Sequence, residues 1–252
     1  MDAETLYQIR STAYLGRVKQ QFNRALTFSL SWIAVLLALF LMQDRWFATR
    51  PLAIQPQSID GLIGILTAPL LHGSFEHLAS NAFAILILGT IAGSLFPRAS
   101  RAALPLVWIG SGLGTWFISL GGHHIGASGV TVGLMFFLIA QGLRRRDRMS
   151  LTGLMLALFF FGGMVLSVLP QEAGVSWEYH LSGAVVGFLC GLAFAGRDER
   201  APDRLYSWDL EPETDEADTE LQLEKPQDVP VLWHRPDARG GDNVVPFRRP
   251  DS

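Results

Sequence analysis

The sequence predicts an all-α, polytopic membrane protein: a bundle of six transmembrane helices followed by a disordered C-terminal tail. Hydrophobic residues make up 49% of the 252 residues and charged residues only 17%, which is unusual for a water-soluble domain. Apolar runs close to the roughly 20 residues that a helix needs to cross a bilayer recur along the chain. The net charge is +4 over residues 1–196 and −7 over residues 197–252. Two physically different regions therefore share the chain.

The six predicted spans lie between charged or glycine- and proline-rich breaks. They are residues 26–42, 75–96, 102–120, 126–143, 151–169 and 177–195. Charged side chains are nearly absent from them, and only Glu76 and Glu178 intrude, each near one end. The first run follows a basic flank, as in a signal peptide, but it is long for one and lacks a small-residue cleavage site. We therefore expect a retained anchor, with residues 1–25 as a cytoplasmic segment and 26–196 as the membrane domain.

The connections between the spans predict the orientation of the bundle. Arginines follow the second, fourth and sixth spans: Arg98, Arg101, Arg144, Arg145, Arg146, Arg148, Arg197, Arg200 and Arg204. The connections 121–125 and 170–176 carry neither Lys nor Arg. Because short basic loops stay in the cytoplasm, both termini are expected there. The compact body suits a bacterial cytoplasmic (inner) membrane, and an organelle membrane is the alternative.

The segment 197–252 is acidic and rich in proline, with too few apolar residues to fold alone. We expect it to be a disordered cytoplasmic tail. Trp208 and the stretch 229–233 indicate either a docking motif for a cytoplasmic partner or a solvated linker. The chain has no basic patch with interleaved aromatic residues, so nucleic-acid binding has no support.

Polar side chains of three spans fall at one depth. His77 and Asn81 lie in the first turns of the second span, Ser128 in the first turn of the fourth, and His180 in the first turn of the sixth. In the predicted topology these helix starts face the outer side, and at ~1.5 Å of rise per residue all four lie within one or two turns of it. Polar groups inside a membrane are costly and by default indicate a functional site.

Glycines recur at four-residue spacing on two of these spans. They are Gly129 and Gly133 on the fourth span, and Gly183 and Gly187 on the sixth. Stripes of small residues let membrane helices approach closely. A close approach would bring the Ser128 hydroxyl to the His180 imidazole as a nucleophile–base pair. The alternative for His180 is a packing histidine bonded to a backbone carbonyl.

A second polar pair has the spacing of an oxyanion hole. His77 and Asn81 are four residues apart and share one helix face. With the backbone N–H of Ser128 they can stabilise the oxyanion of a tetrahedral intermediate. Gly126 lets the loop before Ser128 bend towards water and substrate. The alternative is a polar pair that holds helices together.

Three motifs resemble, in their order and spans, those of the rhomboid intramembrane serine proteases. They are His72-x4-His77-x3-Asn81, Gly126-Ala127-Ser128-Gly129, and the segment 176–187 with His180-Leu181-Ser182-Gly183. The resemblance covers roughly residues 61–195. It implies a Ser128–His180 catalytic dyad, an oxyanion hole served by His77 and Asn81, and transmembrane protein substrates that enter sideways from the lipid bilayer. It implies neither a cofactor nor a metal.

Two features depart from the family pattern, and two other functions stay open. The connection 43–71 looks short, and Tyr179 precedes His180 where a small residue is common. One alternative is a non-proteolytic rhomboid-like protein that binds membrane clients, although such proteins usually lack a dyad residue. The other is a histidine-rich metal-binding membrane protein, because clustered imidazoles can bind zinc. The outer-side histidines are His72, His77, His123, His124 and His180, but no His-Glu-x-x-His motif accompanies them, and Cys190 is the one cysteine.

Overall fold

The computed structural model describes residues 3–170 and 176–202, and within them it is helical, with two isolated β-bridges and no strand. Six long helices form its body. They are α1 (Ala3–Met42), α2 (Phe75–Leu95), α3 (Pro97–Ile118), α4 (Ser128–Arg145), α5 (Arg148–Phe161) and α6 (Trp177–Ala193). The predicted all-α class is confirmed.

Three helical stretches of the described residues are long and apolar enough to cross a membrane: Tyr7–Met42, Phe75–Leu95 and Arg148–Val168. The third combines α5 with the 3₁₀ helix Gly162–Val168. The helix α6 is apolar but has only 17 residues, and α3 and α4 mix glycine, serine and arginine with their apolar residues. The count of six spans therefore stays a prediction.

Among the helix starts, those of α1 and α3 differ most from the predicted spans. The segment 3–25, expected to precede the first span, continues the same helix as the span itself. The helix α3 begins at Pro97 rather than at residue 102, because proline is favoured in a first helical turn. Its free N–H groups have a remote acceptor: the Asp198 carboxylate accepts from the Arg98 and Ala99 amides at 2.9 Å each.

The helix α4 is the centre of the bundle, with most of its residues buried. Its core residues Met135, Phe137 and Leu138 pack with apolar residues of α2, α3, α5 and α6. The helix α1 packs on α2 through small residues, since a Cβ added at Gly93 would lie 2.8 Å from the Ala25 Cβ. The helix starts of α2, α4 and α6 are thereby fixed relative to one another.

The connection between α1 and α2 is folded. It holds four short helices: Arg50–Leu52, Asp60–Leu62, Gly64–Thr67 and Ala68–Leu70. Ile54 is buried and exchanges two backbone hydrogen bonds of 3.0 Å with His124, in the loop before α4. The Trp116 indole N–H of α3 donates to the Ser58 carbonyl at 2.8 Å. This connection, which looks short in the sequence, therefore packs against α3 and the loop that leads to Ser128.

The predicted acidic tail lies mostly outside the described residues. Its first residues, 197–202, are described, and the buried Arg145 guanidinium holds the chain there by donating to the carbonyls of Ala195, Asp198 and Glu199. Trp208 and the stretch 229–233 lie outside the described part, so their docking role stays a prediction.

Candidate active site

Ser128 is the first residue of α4. The residue before it, Ala127, provides no side-chain cap. The first N–H groups of a helix have no partner within the helix, and among the described residues no acceptor takes the Ser128 amide. An uncapped helix start carries partial positive charge and binds anions. The Ser128 hydroxyl thus lies beside free N–H donors.

The backbones of α4 and α6 touch just below Ser128. A Cβ added at Gly183 would lie 2.0 Å from the Gly129 carbonyl oxygen, and one at Gly187 would lie 2.0 Å from the Gly133 carbonyl oxygen. A side chain at either glycine would therefore clash with the backbone of the facing helix. Because Ser128 precedes Gly129 and His180 lies almost one turn before Gly183, the two residues lie near the same level of the bundle.

Tyr179 fills the space beside this contact. The side chain is fully buried, and a Cβ at Gly129 would lie 2.6 Å from its ring carbons. The large residue that departs from the family pattern is therefore accommodated by a glycine on the facing helix. The ring packs against Gly129, the residue that follows the candidate nucleophile.

His180 has a backbone partner on one ring nitrogen. Its Nδ1 lies 3.3 Å from the Ser167 carbonyl oxygen. A carbonyl can only accept, so this contact favours the proton on Nδ1 and leaves the Nε2 lone pair available. Among the residues that the structure describes, no carboxylate bonds to this ring, and Glu178 instead accepts from the Ser119 hydroxyl at 3.2 Å. Sequence reasoning missed Ser167, because a backbone carbonyl has no sequence signal.

The expected hydrogen bond between the Ser128 hydroxyl and His180 is not formed in the described part of the chain. Catalytic hydrogen bonds are often long before substrate binds and tighten in the complex. The structure therefore brings α4 and α6 together at this level without joining the two side chains.

His77 contacts the loop that leads to Ser128. Gly126 has a φ of +109°, and a Cβ there would lie 2.4 Å from the His77 Cε1. Only glycine fits, because both the backbone conformation and the imidazole exclude a side chain. The Gly126 N–H donates to the Ala68 carbonyl at 2.9 Å, which anchors the loop.

Asn81 is buried one turn further along α2. Its Nδ2 donates to the His77 carbonyl at 3.0 Å, so the amide is held by its own helix. One N–H of the amide stays available, since a side-chain amide has two. The pair His77 and Asn81 thus shares a face as expected, with His77 in contact with the loop before Ser128.

His72 lies behind His77, and neither of its ring nitrogens has a hydrogen-bond partner in the described part of the structure. The two rings meet edge to face, with their centroids 5.2 Å apart. Burial, and secondarily the neighbouring His77, lowers the pKa of His72 to about 4. The imidazole is therefore neutral at physiological pH.

The remaining outer-side histidines are bound to other groups. The His124 ring contacts the Ser119 and Ser176 hydroxyls, which links the ends of α3 and the loop before α6. His123 accepts from the Arg50 guanidinium at 3.2 Å. Within residues 3–170 and 176–202, no three His, Cys, Asp or Glu side chains are grouped to hold a metal ion.

Known proteins are similar to this chain over the region that contains the candidate site. A family model described as the Rhomboid domain matches residues 60–197, which is more than half of the chain and includes the whole candidate site. Uncharacterized proteins of Mycobacterium bovis and Mycobacterium tuberculosis are 39% identical over 161 residues, 59% of this chain and 65% of theirs. An uncharacterized protein of Mycobacterium leprae is 35% identical over 154 residues, 58% of this chain and 59% of its own.

The chain therefore spans less than two thirds of the length of these relatives. The domain match and the apolar helices together indicate an integral membrane protein. On the extent of the domain match, this chain belongs to the rhomboid family.

Proposed function

We propose that this protein is an intramembrane serine endopeptidase that cleaves transmembrane segments of other membrane proteins with a Ser128–His180 dyad. The observation that carries the proposal is the backbone contact of α4 and α6 just below these two residues. Such contact between helices lets a short hydroxyl and an imidazole come within hydrogen-bond reach. Membership of the rhomboid family supports the same reaction class.

In the proposed reaction, the Nε2 of His180 takes the Ser128 proton as the Ser128 oxygen attacks a peptide carbonyl carbon. The tetrahedral intermediate then loses its amine, which receives the proton from His180, and an acyl-enzyme remains. A water molecule repeats the sequence: His180 takes its proton, the ester bond to Ser128 breaks, and the serine oxygen regains a proton. The Ser167 carbonyl, which holds Nδ1, keeps Nε2 in the accepting form.

The oxyanion of the tetrahedral intermediate needs donors already in position. The Ser128 amide, the His77 ring and the remaining Asn81 N–H are the proposed donors. The free amide at the start of α4 supports this role, as does the contact of His77 with Gly126. Each such donor typically contributes about 10²–10³-fold in rate.

The proposed substrates are membrane proteins that reach the site from the bilayer. A peptide bond inside a helix is shielded by its own turns, so the substrate segment would unwind locally at Ser128. We further propose an inner-membrane location with both termini in the cytoplasm, because most of the arginines follow α2, α4 and α6, at the other end of these helices from Ser128.

The test is labelling of the detergent-purified protein with a fluorophosphonate probe, which reacts with activated serines. We expect the wild type to be labelled, and Ser128→Ala and His180→Ala to reduce labelling by at least about 10³-fold, as for other serine hydrolases. Ser31→Ala on the exposed side of α1 and His123→Ala in the outer loop are the matched controls. Labelling that persists in Ser128→Ala would contradict the proposal.

One observation favours a second candidate function. Because Ser128 and His180 are not hydrogen-bonded to each other in the described structure, a client-binding rhomboid without proteolysis is the alternative. The labelling experiment separates the two. Folded wild-type protein that stays unlabelled would support client binding.

A further inference from the structure

A cavity of about 550 Å³ lies between α1, α2, α3 and the first turns of α4, and neither Ser128 nor His180 lines it. Its lining changes character along its length. One end is lined by arginines, and the other by aromatic and aliphatic side chains that reach Ala127 at the start of α4. The proposed protease chemistry uses none of its side chains.

The arginine end carries a net positive charge, because four arginines line the cavity there with only two carboxylates, Asp198 and Glu199. Arg17 is paired with Glu199 at 2.9 Å, and Asp198 is occupied by the amides at the start of α3. Among residues 3–170 and 176–202, no carboxylate lies within salt-bridge distance of Arg24, Arg98 or Arg101. All three arginines line the cavity, and the Arg101 Nε also donates to the Pro97 carbonyl at 2.7 Å.

The apolar end begins on the same two helices. Trp32 follows Arg24 by eight residues on α1, and Trp108 follows Arg101 by seven on α3, or about 10–12 Å of helix rise. The two indole rings meet edge to face, with their centroids 5.5 Å apart, and both line the cavity. Phe28 and Leu104 lie between them and the arginines. The cavity thus matches a ligand with an anionic head and an apolar chain.

We propose that this cavity binds an anionic phospholipid, with its phosphate at Arg24, Arg98 and Arg101 and an acyl chain against Trp32 and Trp108. Basic pockets between transmembrane helices bind anionic lipid headgroups, and arginine suits phosphate because its donors form a planar fork. The acidic segment 205–252 also carries apolar side chains, as in 229–233, so a peptide occupant is one outcome that the test must separate from a lipid. A phospholipid of the bilayer carries both the anionic headgroup and the apolar chain in one molecule.

The first test is native mass spectrometry of the full chain with phosphatidylglycerol or phosphatidylcholine of identical acyl chains. We expect phosphatidylglycerol to be retained about tenfold better, and the variant Arg24→Gln/Arg98→Gln/Arg101→Gln to lose that preference. The matched control removes three exposed charges outside the cavity, Arg10→Gln/Lys19→Gln/Arg144→Gln, and should keep it. Thermal unfolding of both variants establishes that they fold.

Three outcomes of this test would overturn the proposal. They are equal retention of the two lipids, equal loss of the preference in both triple variants, and complete displacement of the lipid by millimolar inorganic phosphate. The last would identify a site for the phosphate group alone.

A second test identifies the occupant directly. A photo-crosslinking amino acid replaces Leu104, which lines the cavity, in the full chain within phosphatidylglycerol-containing membranes. An adduct with the mass of a phospholipid is the expected product. A cross-link to residues 205–252, of the same or a second copy, would show that a peptide fills the cavity and would overturn the proposal. Neither test depends on proteolysis.

Discussion

At the scale of single residues, the site combines side chains with a clear sequence signal and groups that have none. Ser128, His180, His77 and Asn81 could be selected from the sequence because polar groups in apolar helices are rare. The Ser167 carbonyl against His180 could not, because every residue has a carbonyl. The free amide at the start of α4 follows from a helix boundary, and boundaries are weakly encoded.

His72 gives a prediction about pH. Its pKa is about 4 in the folded protein against 6.5 ordinarily, because burial disfavours the charged imidazole. Between pH 4 and 6.5 the unfolded chain binds more protons at this residue than the folded protein does. The contribution of His72 to the free energy of unfolding is therefore fully present above pH 6.5 and falls as the pH drops towards 4. The loss from this residue is about 3 kcal/mol, at 1.36 kcal/mol per pKa unit. Unfolding in detergent from pH 7.5 to pH 4 measures it.

The substitution His72→Leu should flatten this pH dependence. The ring nitrogens make no hydrogen bond with the described residues, so the variant loses no partner and should fold at pH 7.5. His123→Leu, at an exposed position of the loop before α4, is the control and should keep the wild-type slope. An unchanged slope in His72→Leu would show that other groups cause the acid sensitivity.

At the scale of helices, the contact between α4 and α6 is the element on which the candidate site depends. The four-residue glycine spacing could be predicted to give a close approach, and Gly183 and Gly187 lie against carbonyls of the facing helix. The extension of α1 to Ala3 could not be predicted, since its first turns lack an apolar run. The short helices of the connection before α2 also have no periodic pattern that would have revealed them.

Gly187→Ala tests this helix contact. The added methyl group would lie 2.0 Å from the Gly133 carbonyl, so the two helices must separate. We expect a loss of about 1–3 kcal/mol in stability, as for other overpacked sites, and at least a tenfold loss of fluorophosphonate labelling. Gly16→Ala on α1 is the control, because nothing lies within 4 Å of the new methyl group. It should be neutral or stabilising. Full labelling of Gly187→Ala would show that the site tolerates a wider helix spacing.

At the scale of the whole molecule, the two ends of the bundle differ in chemistry. At the end with Ser128, His124 and His180 contact a serine hydroxyl and a backbone carbonyl. At the other end, the chain after α6 connects three helices: Glu199 pairs with Arg17 of α1, Asp198 caps α3, and Arg145 of α4 binds the following carbonyls. The described segment 197–202 is thus part of the folded body, whereas the sequence alone assigned it to the tail.

This difference between the ends predicts the orientation in the membrane. Gly121 is exposed in the loop before Ser128 and has open space around it, whereas Arg144 is exposed at the arginine-rich end of α4. The chain's one cysteine, Cys190, is buried, so maleimide labelling of a variant reports the accessibility of the introduced cysteine. In intact bacterial cells permeabilised only at the outer membrane, we expect an impermeant maleimide to label Gly121→Cys fully. Arg144→Cys should react only after lysis, because basic loops stay in the cytoplasm. Equal labelling of both before lysis would contradict this orientation, and the reverse pattern would place Ser128 at the cytoplasmic face.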